Sequence, residues 1–75
     1  MPRLPRITAG EASRAVQQVG FTLSRSNGSH MIYHDAQGRR VTIPFHAGKI
    51  LHPKVLKNIL DDAGLTIEQF LALLK

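Results

Sequence analysis

The dipeptide Asn27-Gly28 limits the possible folds of this 75-residue chain more than any other short segment. Before it, Phe21, Leu23 and Arg25 alternate with small polar residues, and a second strand is predicted after it, over residues 29–35. Asn-Gly between two such segments is the strongest short-range signal for a β-hairpin, because both residues accept the positive φ of a type I′ turn. The sequence therefore predicts two antiparallel strands joined at residues 27 and 28.

A third strand is predicted directly after a tight turn at residues 36–38. Residues 39–45 place Val41, Ile43 and Phe45 on one face of this strand, and Pro44 favours a position at the edge of the sheet. Three antiparallel strands need an apolar cover on one face to be stable. That cover must come from the segments before and after the strands.

Helices are predicted on both sides of the strands. The first and last helices begin with a capping box, which is a Thr followed three residues later by Glu or Gln. The middle helix begins with a proline, which suits the first turn of a helix. Apolar residues then recur at helical spacing, and a glycine ends each of the first two helices. The predicted helices cover residues 9–19 after Thr8, residues 53–63 from Pro53 to Gly64, and a short C-terminal segment after Thr66.

The predicted element order is α-β-β-β-α followed by a short C-terminal helix. We therefore expect an α+β two-layer sandwich, in which helices cover one face of a three-stranded antiparallel sheet and the other face stays open. Small basic domains of this order include the double-stranded-RNA-binding fold. The chain has no internal repeat or linker, so we expect one domain over residues 1–75.

The charge of the chain favours a polyanionic partner. Ten Lys and Arg against five Asp and Glu give a net charge of +5, and residues 1–57, with nine basic and two acidic residues, carry +7. The absence of cysteine excludes disulfides and thiolate metal sites and suits a reducing cytoplasm, where we expect the protein. No apolar run approaches the ~20 residues that cross a bilayer, and residues 1–7 do not resemble a secretory signal, so no membrane partner is expected.

Four histidines are the main candidates for chemistry, because imidazole titrates near neutral pH. On a strand, His30 and His34 lie about 13 Å apart, too far to share a metal ion, and Asp35 stands alone in the middle of the chain. We therefore expect no metal and no cofactor. His46 and His52 fit positions in a loop and at the start of a helix.

A histidine can cleave RNA without a metal, because RNA carries its own nucleophile in the 2′-hydroxyl group. His30 is the best placed of the four, since it follows Gly28 and Ser29 directly, where a hairpin fixes the backbone and glycine lets a phosphate approach. The alternative is that His30 is a solvated strand residue and that Gly28 and Ser29 serve only the turn.

Other residues are candidates for RNA contacts. Tyr33 could stack on a base, although a strand tyrosine is more often packed. The basic candidates could equally keep the surface soluble. They are Arg25, Arg39, Arg40 and Lys49.

The predicted hairpin register leaves one conflict. If Asn27 and Gly28 are the two loop residues, Arg25 pairs with His30 and both lie on one face. The same register puts them beside Leu23 and Ile32, on the side expected to be core. Either the strand end projects past the helices, or a longer turn or a bulge reverses the face. The general acid for the leaving 5′-oxygen is also open between His34, Lys49 and water.

Several short motifs occur together in this chain. They are Gly28-Ser29-His30 with Tyr33 three residues later, Pro44-Phe45-His46, Gly48-Lys49, Leu56-Lys57-Asn58-Ile59-Leu60 and Ala63-Gly64-Leu65-Thr66. In their order and spacing, and in overall length, the chain resembles the HicA family, the toxins of HicA/HicB toxin–antitoxin pairs in bacteria and archaea. The resemblance spans nearly the whole sequence.

The resemblance implies a double-stranded-RNA-binding-like fold and metal-independent cleavage of mRNA that depends on His30. It also implies a HicB-type antitoxin that binds the toxin and covers its catalytic surface, so that DNA is reached only through the antitoxin. The alternative is a non-catalytic RNA-binding module of the same fold. A DNA-binding accessory is a third hypothesis, disfavoured because no helix is distinctly basic along its exposed length.

Overall fold

The computed structural model describes residues 4–46 and 48–74, which form three helices and a three-stranded sheet. The helices are α1 (Ala9–Gln18), α2 (Pro53–Ala63) and α3 (Ile67–Leu73), and the strands are β1 (Thr22–Asn27), β2 (His30–His34) and β3 (Arg40–Pro44). The sheet is antiparallel in the order β1-β2-β3. This confirms the predicted α+β architecture. The domain predicted over residues 1–75 also includes residues 1–3, 47 and 75, which lie outside the described residues.

The helices begin where the capping pattern predicts. The Thr8 hydroxyl accepts a hydrogen bond from the Glu11 N–H at 3.3 Å, and the Glu11 carboxylate accepts one from the Thr8 N–H at 3.1 Å. Thr66 and Gln69 form the same reciprocal pair at α3. These bonds satisfy backbone N–H groups that a helix start otherwise leaves without partners.

One face of the sheet packs on the helices. Val41 and Ile43 of β3 have no exposed surface, and they share a core with residues from all three helices, including Val16, Leu56 and Phe70. Pro44 lies on an edge strand, as predicted, since β3 pairs only with β2. Phe45, expected on the core face of this strand, instead follows its last residue and is 38% exposed.

The turn between β1 and β2 differs from the prediction by one residue. Asn27 pairs with His30, so the two loop residues are Gly28 and Ser29 rather than Asn27 and Gly28. Gly28 has a φ of 61°, and no described residue other than glycine has a positive φ. A glycine first and a residue with negative φ second is the pattern of a type II′ turn, whereas type I′ needs positive φ at both positions. Asn27 therefore stays in the strand.

A β-bulge in β1 resolves the conflict over the faces of the sheet. Leu23 pairs with Tyr33 and Arg25 pairs with Ile32, so the ladder contains one extra residue on β1 between these pairs. A bulge of this kind reverses the side to which the following residues point. Arg25 therefore pairs with Ile32 and not with His30. The expected core position of Ile32 was wrong, because Met31 and Tyr33 supply the core side of β2.

Within the described part of the chain, no helix is long and apolar enough to cross a membrane.

Candidate nucleic-acid interface

The face of the sheet opposite the helices, here called the open face, carries the central candidate. Side chains alternate between the two faces of a strand, and directly paired residues share a face. Because Val41, Ile43 and Tyr33 are buried on the helix side, the residues between them lie on the open face. Its members are Thr22, Arg25, Asn27, His30, Ile32, His34, Arg40, Thr42 and Pro44.

His30 lies on the open face at the first position of the central strand. It pairs with Asn27 on one side and with Pro44 on the other, and it is exposed. The Ser29 carbonyl also accepts a hydrogen bond from the Phe45 N–H, which ties the turn to the end of β3. The backbone of His30 is thus held from both sides while its imidazole remains accessible to a ligand.

The open face is positively charged. Arg25, His30 and Arg40 are exposed there and His34 is half-buried, and none of the residues that define the face is acidic. The adjacent carboxylate of Asp35 forms hydrogen bonds within the turn between β2 and β3. Its Oδ1 accepts hydrogen bonds from the N–H groups of Gln37 and Arg39 at 3.1 and 2.8 Å. This surface therefore favours a polyanion.

The structure does not bring all predicted RNA-contact residues together. Arg40 pairs with His34, four residues along β2 from His30, a separation of about 13 Å. Arg39 lies on the other side of the sheet, where a Cβ added at Gly64 would come within 3.2 Å of its guanidinium carbon. Its Nη1 atom is 3.9 Å from Asp35 Oδ2. Arg39 therefore belongs to the packing of the β2–β3 turn against the end of α2, and not to the open face.

Tyr33 also lies away from the open face. Its side chain points into the core and is 3% exposed, and its hydroxyl accepts a hydrogen bond from Gln17 Nε2 at 3.4 Å. A ring in this position cannot stack on a base, so the predicted stacking contact was wrong. The alternation of β2 places Tyr33 opposite Val41, and that pairing could not be known before the register was known.

A groove next to this face was not anticipated from the sequence. It has a volume of about 300 Å³ and is lined by Pro44, by five residues of the loop between β3 and α2, and by Val55. The five loop residues are His46, Lys49, Ile50, Leu51 and His52. Gly48, with a φ of 77°, and the hydrogen bond from the Lys49 N–H to the His46 carbonyl at 3.1 Å form a tight turn in this segment. The apolar pair Ile50-Leu51 between two histidines is the only sequence feature that points to it.

His52 has a structural task. It is the N-cap residue of α2, and its Nδ1 atom accepts a hydrogen bond from the Lys54 N–H at 3.1 Å. This confirms its predicted position at a helix start. Among residues 4–46 and 48–74, no three side chains of the types His, Cys, Asp and Glu lie together as metal ligands would.

A family model described as HicA toxin of bacterial toxin-antitoxin systems matches residues 10–65. The matched region contains the whole sheet, α2 and nearly all of α1, and thus both His30 and the groove. No curated protein matches the chain at a significant level.

Proposed function

The chain belongs to the HicA toxin family, and on that premise we propose that it is an endoribonuclease that cleaves mRNA without a metal, with His30 as the general base. Membership of the family makes it the toxin component of a toxin–antitoxin system, with an antitoxin as its partner. The proposal concerns the reaction, the residues that carry it and the RNA substrate.

The observation that supports this most directly is the placement of His30. An exposed imidazole on a hairpin, on a face that carries Arg25 and no acidic residue, can approach the ribose of a bound RNA strand. The imidazole would remove the proton of the 2′-hydroxyl, and the 2′-oxygen would attack the adjacent phosphorus. The bond to the 5′-oxygen then breaks, leaving a 2′,3′-cyclic phosphate and a 5′-hydroxyl. A positioned general base contributes about 10² to 10⁴-fold to such a reaction.

The surroundings of His30 suggest roles for the other residues. Arg25 lies on the same face and would stabilise the negative charge that develops on the phosphate. The space around Gly28 is open, with nothing within 4 Å of an added Cβ, so a phosphate can approach the turn formed with Ser29. His34 is about 13 Å along the strand, too far to protonate the leaving oxygen of the same bond. Lys49 or water remains as the general acid that protonates the leaving 5′-oxygen.

The basic surface also suits the antitoxin. We propose that the HicB-type partner covers the open face, because a surface that attracts RNA phosphates equally attracts an acidic protein. Bound there, the antitoxin would exclude RNA from His30. A substrate of mRNA places the toxin in the cytoplasm, as expected from the absence of cysteine.

The test is RNA cleavage in the presence of EDTA by the purified protein, its His30→Ala variant and a matched His34→Ala variant. We expect the unsubstituted protein and His34→Ala to cleave, and His30→Ala to be at least about 10²-fold slower. Thermal unfolding of all three proteins checks that they fold. RNA binding without cleavage by any of them would instead support a non-catalytic RNA-binding module.

A further inference from the structure

The groove beside the open face lies close to the reacting position. Pro44, which pairs directly with His30 across the β2–β3 ladder, is also a lining residue of the groove. The other lining residues are His46, Lys49, Ile50, Leu51 and His52, and Val55 in the first turn of α2. The groove therefore begins next to the strand position of His30.

The lining of the groove suits a flat apolar ring. Pro44, Leu51 and Val55 provide aliphatic surface, and Ile50 is 52% exposed although it is a large apolar side chain. Two imidazoles, His46 and His52, also line it. The His52 ring is held in one orientation because its Nδ1 accepts the N–H bond at the start of α2. A preorganised ring loses little freedom when another ring stacks on it.

The charge around the groove favours RNA as its occupant. Lys49 lines it, Lys54 follows His52 on α2, and the sequence contains no acidic residue between Asp35 and Asp61. A nucleotide presents an apolar face and an anionic phosphate together, and this combination matches an apolar groove with a cationic rim. A volume of about 300 Å³ is at the lower limit for ligand pockets, so the groove suits a small group and not a large ligand.

We propose that this groove binds one unpaired nucleobase of the RNA, next to the phosphate that is presented to His30. The inference rests on the proposed function for its substrate, and it adds the requirement that the RNA be single-stranded at this position. A paired base is stacked within a duplex and cannot enter the groove. The groove thereby contributes to the choice of cleavage site.

Equilibrium binding tests the groove separately from the reaction, with every variant made in the His30→Ala protein so that RNA stays intact. The probes are a short single-stranded RNA, an abasic ribose-phosphate oligomer of the same length, and the RNA duplex. We expect Ile50→Ala to weaken binding of the single strand about tenfold and to leave binding of the other two probes unchanged. His52→Asn, which keeps an N-cap acceptor but removes the ring, should do the same. Val19→Ala, at a residue that is 41% exposed and lies outside the groove, is the matched control.

The inference is overturned if Ile50→Ala and Val19→Ala bind single-stranded RNA equally well. It is also overturned if Ile50→Ala weakens the abasic oligomer as much as the RNA, or weakens only the complex with the antitoxin. In the last case the groove docks a protein. The two proposals fail in different ways. If the protein cleaves RNA but Ile50→Ala has no effect on RNA binding, only the groove proposal is wrong. If RNA binding depends on the base but no cleavage occurs, only the nuclease proposal is wrong.

Discussion

At the scale of single residues, the four histidines of this chain have different environments. His52 caps α2 through Nδ1, and His46 closes a tight turn with its carbonyl. His34 is half-buried and pairs with Arg40 at the far end of the open face. His30 is the one histidine that is both exposed and part of the sheet, and it directly follows the turn formed by Gly28 and Ser29. This position fits its proposed role as a base that acts on a bound RNA backbone.

The β-bulge places Arg25 on the same face of the sheet as His30. The contribution of Arg25 to RNA binding can be measured from the dependence of the binding constant on salt concentration. Replacing Arg25 by Gln in the His30→Ala background should weaken binding to single-stranded RNA of any sequence. The slope of log K against log salt should become less negative by about 0.7, since one phosphate contact is lost. Arg14→Gln, an exposed position on α1, is the matched control and should keep the slope. Equal slopes for the two variants would show that Arg25 does not contact phosphate.

At the scale of elements, the capping boxes, the apolar periodicity and the glycine stops were enough to predict all three helices. The strands were also predicted, but their register was not. The bulge between Leu23 and Arg25 has no marker in the sequence, because neither a glycine nor a proline accompanies it. A single residue added to one strand reverses its faces. The faces of Arg25, His30 and Ile32 therefore depended on a feature visible only in the fold.

The β1–β2 turn depends on Gly28, and its stability can be tested by substitution. Gly28→Ala forces a residue with a Cβ into a φ of 61° and should lower the free energy of unfolding by about 1–2 kcal/mol. Gly10→Ala is the contrasting control, because Gly10 lies in the first turn of α1 and an added Cβ makes only ordinary contacts at 3.8–4.0 Å. That change should raise the free energy of unfolding by about 0.4–1 kcal/mol. Urea unfolding measures both, and an unchanged midpoint for Gly28→Ala would contradict the assigned turn.

At the scale of the whole molecule, charge and apolar surface are separated by the two layers. The helices take the apolar side of the sheet, and the open face keeps arginine and histidine with no carboxylate among its residues. The net charge of the chain predicted a polyanionic partner, but it could not show which cations share a surface. Arg40 and Arg39 are neighbours in sequence and lie on opposite sides of the sheet.

The groove shows the same limit of sequence analysis. Pro44 and Val55 are eleven positions apart and line the same groove, together with residues of the loop between β3 and α2. Leu51 donates its N–H to the Ile7 carbonyl at 2.8 Å, which fixes this segment against the start of the chain. A contact that joins three separate parts of the sequence carries no local pattern. The proposed role of His30 was suggested by its motif, whereas the surface beside it became visible only in the fold.

The measurement that tests the central claim most directly compares one RNA oligonucleotide with the same oligonucleotide carrying a single 2′-deoxynucleotide at the cleaved position, in EDTA. If His30 activates the 2′-hydroxyl, the toxin cleaves the first to a 2′,3′-cyclic phosphate and a 5′-hydroxyl and leaves the second intact at that position. The His30→Ala variant then cleaves neither at a comparable rate. Cleavage of the 2′-deoxy substrate, or loss of all cleavage in EDTA, would contradict a mechanism in which a histidine and the RNA itself suffice.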